Sequence, residues 1–203
     1  MITVKESPYN TIDVSFGTQH LVIRDCLLLE KLPDLPALES LELYNCPSLE
    51  KVPNYPKLRS LLLDTCAILK SIKSSSINKL DITACPSILE ISGNLLEHLD
   101  INFLNIKSIN SLKNLKTLNI INCSKLKTIY NVPQLITLKI IKCKRIKSIS
   151  GANIINLYID QCKIEQINCP NLSKLICKDS ECSSINNKST LIDDKTSINF
   201  LTF

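Results

Sequence analysis

Leu118-Asn119-Ile120-Ile121-Asn122-Cys123 is repeated twenty residues on as Leu138-Lys139-Ile140-Ile141-Lys142-Cys143. The same frame, Leu-x-(Leu/Ile)-x-x-Cys, opens at Leu41, Leu61, Leu80 and Leu157 and closes on Cys46, Cys66, Cys85 and Cys162. With Leu99 included, its first Leu recurs at 41, 61, 80, 99, 118, 138 and 157, a step of 19 or 20 residues. The Leu-x-Leu alternation is that of a short strand with one buried face. A fixed period of this length marks a solenoid, in which each coil buries its apolar face only against its neighbours. Such a stack offers partners a surface more readily than it offers chemistry a pocket.

The second half of each period spaces its apolar residues by three, as in Leu126, Ile129, Val132 and Leu135. Prolines 33, 36, 53, 56 and 133 stop an α-helix there. The expected fold is therefore a curved parallel sheet on the concave side with extended or 3₁₀ segments on the outer side and little α-helix. No apolar run is long enough to span a bilayer, and MITVKESPYN has no signal-peptide pattern.

Seven of the ten cysteines, at 26, 46, 66, 85, 123, 143 and 162, occupy one column of the repeat. Stacked strands lie roughly 5 Å apart, which alone does not forbid a disulfide. Side chains of one column all point the same way, however, and a free Cys packs as a small hydrophobe. Buried, reduced thiols are the expectation, and they suit a cytoplasmic location. A zinc site would need paired ligands such as Cys-x-x-Cys, and none occurs. Cys169 stands off this column, in Asn168-Cys169-Pro170, and reads as an exposed thiol open to reaction.

These repeats resemble the leucine-rich repeat consensus L-x-x-L-x-L-x-x-N/C-x-L over about residues 20 to 185. Leu32-Pro33-Asp34-Leu35-Pro36-Ala37-Leu38 and Val52-Pro53-Asn54-Tyr55-Pro56-Lys57-Leu58 resemble the L-P-x-L-P-x-x-L connection of bacterial effectors. The later Ile-, Asn- and Lys-rich copies are similar to Cys-type repeats of giant DNA viruses. The resemblance implies a non-enzymatic module that binds a protein, as yet unidentified, on its concave face. It places the chain in the cytoplasm, that of the host for an effector or viral protein. A substrate-recognition part of a ubiquitin-ligase-type assembly is a further implied role. About nine repeats are expected over 20–185, between an N-terminal cap over 1–19 and a C-terminal cap over 186–203. Within the caps, Thr11–Phe16 and Thr196–Phe203 alternate like strands.

No catalytic, cofactor or metal set emerges. His20 and His98, the chain's 2 histidines, stand four strands apart, roughly 19 Å, and cannot share a metal or a proton. The strand positions that face away from the core are the candidate protein site. They include Tyr44, Leu62, Asp64, Asp81, Asp100, Asn119, Ile121, Lys139, Ile141 and Tyr158. Ile121, Ile141 and Tyr158 should form one apolar patch with Asn119 and Lys139 beside it, the make-up of an interface centre. Since the core does not need them, changing Ile141 to Asp or Tyr158 to Ala should leave stability nearly intact.

Charge supplies the alternative. Residues 101–150 hold ten Lys or Arg and no Asp or Glu, whereas residues 1–100 hold nine and thirteen. Lys125, Lys127, Lys144, Arg145 and Lys147 form a basic outer flank within 107–147 that could meet a nucleic acid or an anionic surface. With 4% aromatics there is no base-stacking platform, which argues against nucleic acid.

Overall fold

The computed structural model describes residues 1–186 and the short strand Leu191–Ile192. In chain order the strands are β1 (Ile2–Lys5), β2 (His20–Arg24), β3 (Ser40–Tyr44), β4 (Ser60–Asp64), β5 (Ser71–Ser74), β6 (Lys79–Thr83), β7 (Glu90–Gly93), β8 (His98–Asn102), β9 (Ser108–Asn110) and β10 (Thr117–Ile121). They continue as β11 (Thr128–Tyr130), β12 (Thr137–Ile141), β13 (Ser148–Ser150), β14 (Asn156–Asp160), β15 (Lys163–Ile164), β16 (Gln166–Asn168), β17 (Lys174–Lys178), β18 (Glu181–Cys182), β19 (Ile185–Asn186) and β20 (Leu191–Ile192).

The chain divides into two compact units, Met1–Leu96 with Ile101–Asn105, and Glu97–Asp100 with Ile106–Phe203. In the first, β1, β2, β3, β4 and β6 pair in parallel, with Ile2, Leu21, Leu41, Leu61 and Leu80 in register. In the second, β10, β12, β14, β17 and β20 do the same, with Leu118, Leu138, Leu157, Leu175 and Ile192 in register. A parallel ladder needs its residues to recur at one period, and the repeated Leu sets that register. A slip of one residue would turn every core side chain to solvent. Leu41, Leu43, Leu118 and Ile120 are each 0% exposed, so the period-two alternation buries the Leu/Ile positions of the frame.

Behind these long strands run shorter parallel ones. β5 pairs β7 in the first unit, while β9 pairs β11, β16 lies between β13 and β19, and β15 pairs β18 in the second. Among the described residues these segments are extended, with no 3₁₀ turn and no helix. Their sequences explain the preference. Ile72, Ile91, Ile109, Ile149 and Ile167 sit buried at their centres, and a β-branched side chain favours a pleated strand.

The first strand is Ile2–Lys5 and not Thr11–Phe16, which forms none. Ile2-Thr3-Val4 pairs directly with Leu21-Val22-Ile23, so the repeat register begins at the second residue. Of the alternating trio Ile12, Val14 and Phe16, only Ile12 is buried and Phe16 is 66% exposed, so that alternation has no apolar surface to serve. The expected strand over Thr196–Phe203 lies outside the described residues.

The long strands from β2 to β17 each end in a left-handed residue just before the ladder position. Asp25, Asn45, Thr65, Ala84, Phe103, Asn122, Lys142, Gln161 and Asp179 all have positive φ, between 45° and 57°. Glycine, the usual occupant of such a site, is never used for it. The turn aims the backbone N–H at the next coil. Asn45 N donates to Asp64 O at 2.8 Å, Asn122 N to Ile141 O at 3.0 Å and Lys142 N to Asp160 O at 2.9 Å. Thr65, at φ 57°, is the β-branched member and carries the most steric strain. Thr65→Asn is expected to raise the unfolding free energy by about 1 kcal/mol, read from urea midpoints. An unchanged midpoint would mean that the Thr65 Oγ1 to Asp64 Oδ1 hydrogen bond, 2.8 Å, offsets the strain.

The ladder cysteine completes the turn. Cys85 Sγ donates to Thr83 O at 3.2 Å and accepts the N–H of Cys66 at 3.4 Å. Cys162 Sγ donates to Asp160 O at 3.2 Å and accepts from Cys143 N at 3.4 Å. Where the column changes to Ser180, the hydroxyl does the same work, donating to Lys178 O at 2.7 Å and accepting from Cys162 N at 3.1 Å. The thiols are therefore hydrogen-bonding links between coils as well as core volume. Leu104, which replaces Cys in one coil, is buried at 2% but has no such group to offer.

Candidate functional site

The open face of the second unit carries three columns between the buried ones. β10 presents Thr117, Asn119 and Ile121, β12 presents Thr137, Lys139 and Ile141, β14 presents Asn156, Tyr158 and Asp160, and β17 presents Lys174, Ile176 and Lys178. A shallow groove of about 280 Å³ runs across these strands, lined by Asn119, Thr137, Lys139, Asn156, Tyr158, Lys174 and Ile176 with Leu138 and Leu157. Lys139 Nζ lies 5.3 Å from the centre of the Tyr158 ring, within cation–π range. Asn119 Nδ2 donates to Asp100 Oδ1, which anchors the groove's first wall.

Ile121 and Ile141 face each other across β10 and β12 in the next column. On β14 the opposite residue is Asp160, while Tyr158 stands beside Lys139 and leans over through a 3.3 Å hydrogen bond from its hydroxyl to Asp160 Oδ2. Burial and the neighbouring Asp160 carboxylate both raise the Tyr158 pKa, so the phenol keeps its proton. Asp160 itself is 8% exposed, contrary to the exposure its column implies, and its Oδ1 has no hydrogen-bond partner among the described residues. This changes which substitutions at the patch are clean. Ile141→Asp would set a carboxylate opposite a buried one, and Tyr158→Ala would strip Asp160 of its donor.

The ten expected interface residues fall into two groups. Asp100, Asn119, Ile121, Lys139, Ile141 and Tyr158 belong to the second unit, and Tyr44, Leu62, Asp64 and Asp81 to the first. All ten are half-buried on strands, as an open sheet face requires. In the first unit several charges of this face are paired. Arg24 lies 3.7 Å from the centre of the Tyr44 ring and 4.0 Å from Glu42, and Lys79 reaches Asp81 at 3.5 Å. Val22, which the Leu21-Val22-Ile23 alternation turns to the open face, is nevertheless buried at 8% between Thr3 and Glu42 of the adjacent strands. Thr137, Asn156 and Lys174, absent from the ten, line the groove from the position just before each strand Leu. That position was legible in the same frame.

The period, the parallel register and the hydrogen-bonded Cys column are together the architecture of the Leu-x-x-Leu-x-Leu-x-x-Cys repeat. The fold is a leucine-rich repeat solenoid. No protein-family model and no curated sequence matches the chain. Among solved structures, it is similar to the leucine-rich repeat domain of the type III effector XopL, at 21% identity over 85% of this chain and 70% of that one, with a TM-score of 0.36. It is also similar to a leucine-rich repeat protein from Bacteroides ovatus, at 14% identity over 95% and 71% of the two chains, with a TM-score of 0.39.

All ten cysteines of the solenoid are free and buried. Cys169 is among them at 0% exposure, which overturns its reading as an exposed thiol. Its place is the first residue of a Pro-containing turn, Cys169-Pro170-Asn171-Leu172, equivalent to Leu35-Pro36-Ala37-Leu38 and Val132-Pro133-Gln134-Leu135, whose first residues also point into the core. Near the end of the described chain, Cys177 Sγ and Cys182 Sγ lie 3.2 Å apart. No group of three or more His, Cys, Asp or Glu among the described residues is placed to hold a metal ion. His20 and His98 are both exposed.

Burial pushes Cys46 and Cys169 up to about 11 and Cys143 to about 12, from an ordinary thiol value of 9.0. The folded state thus holds these protons to higher pH than the unfolded chain does. Stability from this source is complete below about pH 8.5 and is lost as pH rises toward 11 and 12, by about 1.4 kcal/mol per pH unit for each thiol. A melting temperature that is level to about pH 8.5 and then falls is expected, together with slow alkylation of native protein at neutral pH. Rapid labelling of Cys46 or Cys143 without denaturant would contradict the buried ladder.

Lys125, Lys127, Lys144, Arg145 and Lys147 are all exposed in the second unit. Lys125, Lys144 and Arg145 sit in the turns after Cys123 and Cys143, whereas Lys127 and Lys147 precede β11 and β13. Lys147 is paired with Glu165 at 3.2 Å, so the basic flank is partly neutralised from within. No helix among the described residues is long and apolar enough to cross a membrane.

Proposed function

We propose that the chain is a non-enzymatic module that binds a protein through the open, concave side of its long-strand sheet. The observation that carries this reading is the second unit's groove. It joins Tyr158 and Ile176 to Asn119, Asn156, Lys139 and Lys174, and the adjacent Ile121–Ile141 pair extends it. Apolar and aromatic groups ringed by polar ones are the make-up of an interface centre, and the core already has its Leu and Ile residues without them. The ten buried free thiols support a reducing compartment, hence a cytoplasmic location. A role in selecting substrates for a ubiquitin-ligase-type assembly is one form this module could take.

The test is coprecipitation from the native cell with wild-type protein and with Ile141→Ser. A specific partner lost with the variant supports the reading, and a partner retained equally places binding elsewhere. The second reading, an anionic polymer on the outer flank, rests on Lys125, Lys127, Lys144 and Arg145, which make no ion pair among the described residues.

A further inference from the structure

We infer that the groove of the second unit takes an acidic protein segment, a carboxylate-bearing extended peptide with an apolar side chain beside the charge. This rests on the protein-binding reading above and names the partner's chemistry. The open face of β10, β12, β14 and β17 carries three cations, Lys139, Lys174 and Lys178, against one carboxylate, Asp160, and the Asp100 carboxylate beside them already accepts Asn119 Nδ2. Asp160 is buried and itself accepts the Tyr158 hydroxyl. Neither Lys139 nor Lys174 makes an ion pair among the described residues, although both line the groove.

The first unit gives the contrast. Two of its open-face cations are answered on the spot, Arg24 by Glu42 and Lys79 by Asp81, and only Lys5 on the first strand makes no ion pair among the described residues. The interior strands of that face therefore pair their cations, whereas Lys139 and Lys174 stay open on the interior strands of the second unit. Between the two open lysines the wall is apolar, Tyr158 and Ile176, with Thr137 and Asn156 as hydrogen-bonding neighbours. A ligand that fits supplies carboxylates to Lys139 and Lys174 and lays an aliphatic or aromatic group on Tyr158 and Ile176. The shallow groove of about 280 Å³ suits one or two side chains of a longer segment.

The experiment uses the whole chain and two fluorescent peptides read by anisotropy, one alternating Glu with Phe and Leu, the other with Lys in place of Glu. Fluorescent heparin is the third probe. The expected result is saturable binding of the Glu peptide only. Its affinity should fall about tenfold or more in Lys139→Glu/Lys174→Glu and with rising salt. The control Lys125→Glu/Arg145→Glu should leave it unchanged. Circular dichroism checks that each variant folds, as exposed or half-buried strand positions allow. Equal binding of both peptides, or binding indifferent to the groove lysines, overturns the acidic-partner inference. So does heparin binding lost only with Lys125→Glu/Arg145→Glu, which assigns the anion site to the flank. If the native partner is lost with Ile141→Ser while the groove lysines have no effect on it, protein binding stands and the acidic chemistry falls. If the partner ignores Ile141→Ser as well, the concave-face reading falls with it and the interface lies elsewhere.

Discussion

Ile141→Ser should leave the protein folded, with the unfolding free energy changed by about 1 kcal/mol or less, and should weaken partner binding about tenfold or more. The two effects separate because Ile141 lies on the half-buried open face, while the chain's interior at this strand is Leu138 and Ile140, 1% and 0% exposed. Serine removes the apolar contact with Ile121 and adds no charge opposite Asp160. A central aliphatic anchor is where an interface concentrates its energy. Melting temperature and partner affinity should be measured on the same preparations. Unfolding would show that this column is core, and an unchanged affinity on a folded protein would move the interface off this face.

Cys85→Asp should unfold the chain, whereas Cys85→Ser should cost only about 1 kcal/mol. Cys85 is 0% exposed and holds two hydrogen bonds, to Thr83 O and from Cys66 N. A hydroxyl donates and accepts in the same directions, as Ser180 does in its own coil. A carboxylate can accept from Cys66 N but cannot donate to Thr83 O, and it buries a charge without a counter-charge. That combination costs several kcal/mol against a total of about 5–15. Cys85→Ala should fall between, at about 1–3 kcal/mol, because the Cys66 N–H is left buried without an acceptor. Urea titrations of the three variants give the order directly. An Asp variant as stable as the Ser variant would mean that the ladder is filled by volume alone.

How much of this was open to a reader of the residues depends on how local each fact is. The stack, its register and the core side of each strand follow from the recurrence of Leu-x-Leu, because period two leaves no other face to bury. The buried thiol column follows from the same recurrence. Asp160 does not, since its burial depends on Tyr158 leaning over it from two residues away. The charge pairing of Arg24 with Glu42, and the absence of such pairing at Lys139 and Lys174, depends on how long side chains settle across strands. Cys169 was misread although the signal was present, because its likeness to Leu35 and Val132 lies in the Pro-x-Leu that follows and not in the column of cysteines.

Most left-handed turns that end a long strand hand their N–H to the following coil, and several ladder positions add a thiol or hydroxyl bond across the same step, as between Cys66 and Cys85 or Cys162 and Ser180. The outgoing and incoming groups of one coil are therefore interchangeable with those of any other of its kind. A gene that gains or loses one whole period in frame produces a chain in which each group still meets its counterpart. Copy number is thus nearly free to drift, while the spacing inside a period is held fast. Such a protein can lengthen its recognition surface by duplication alone and specialise afterwards, one open-face residue at a time.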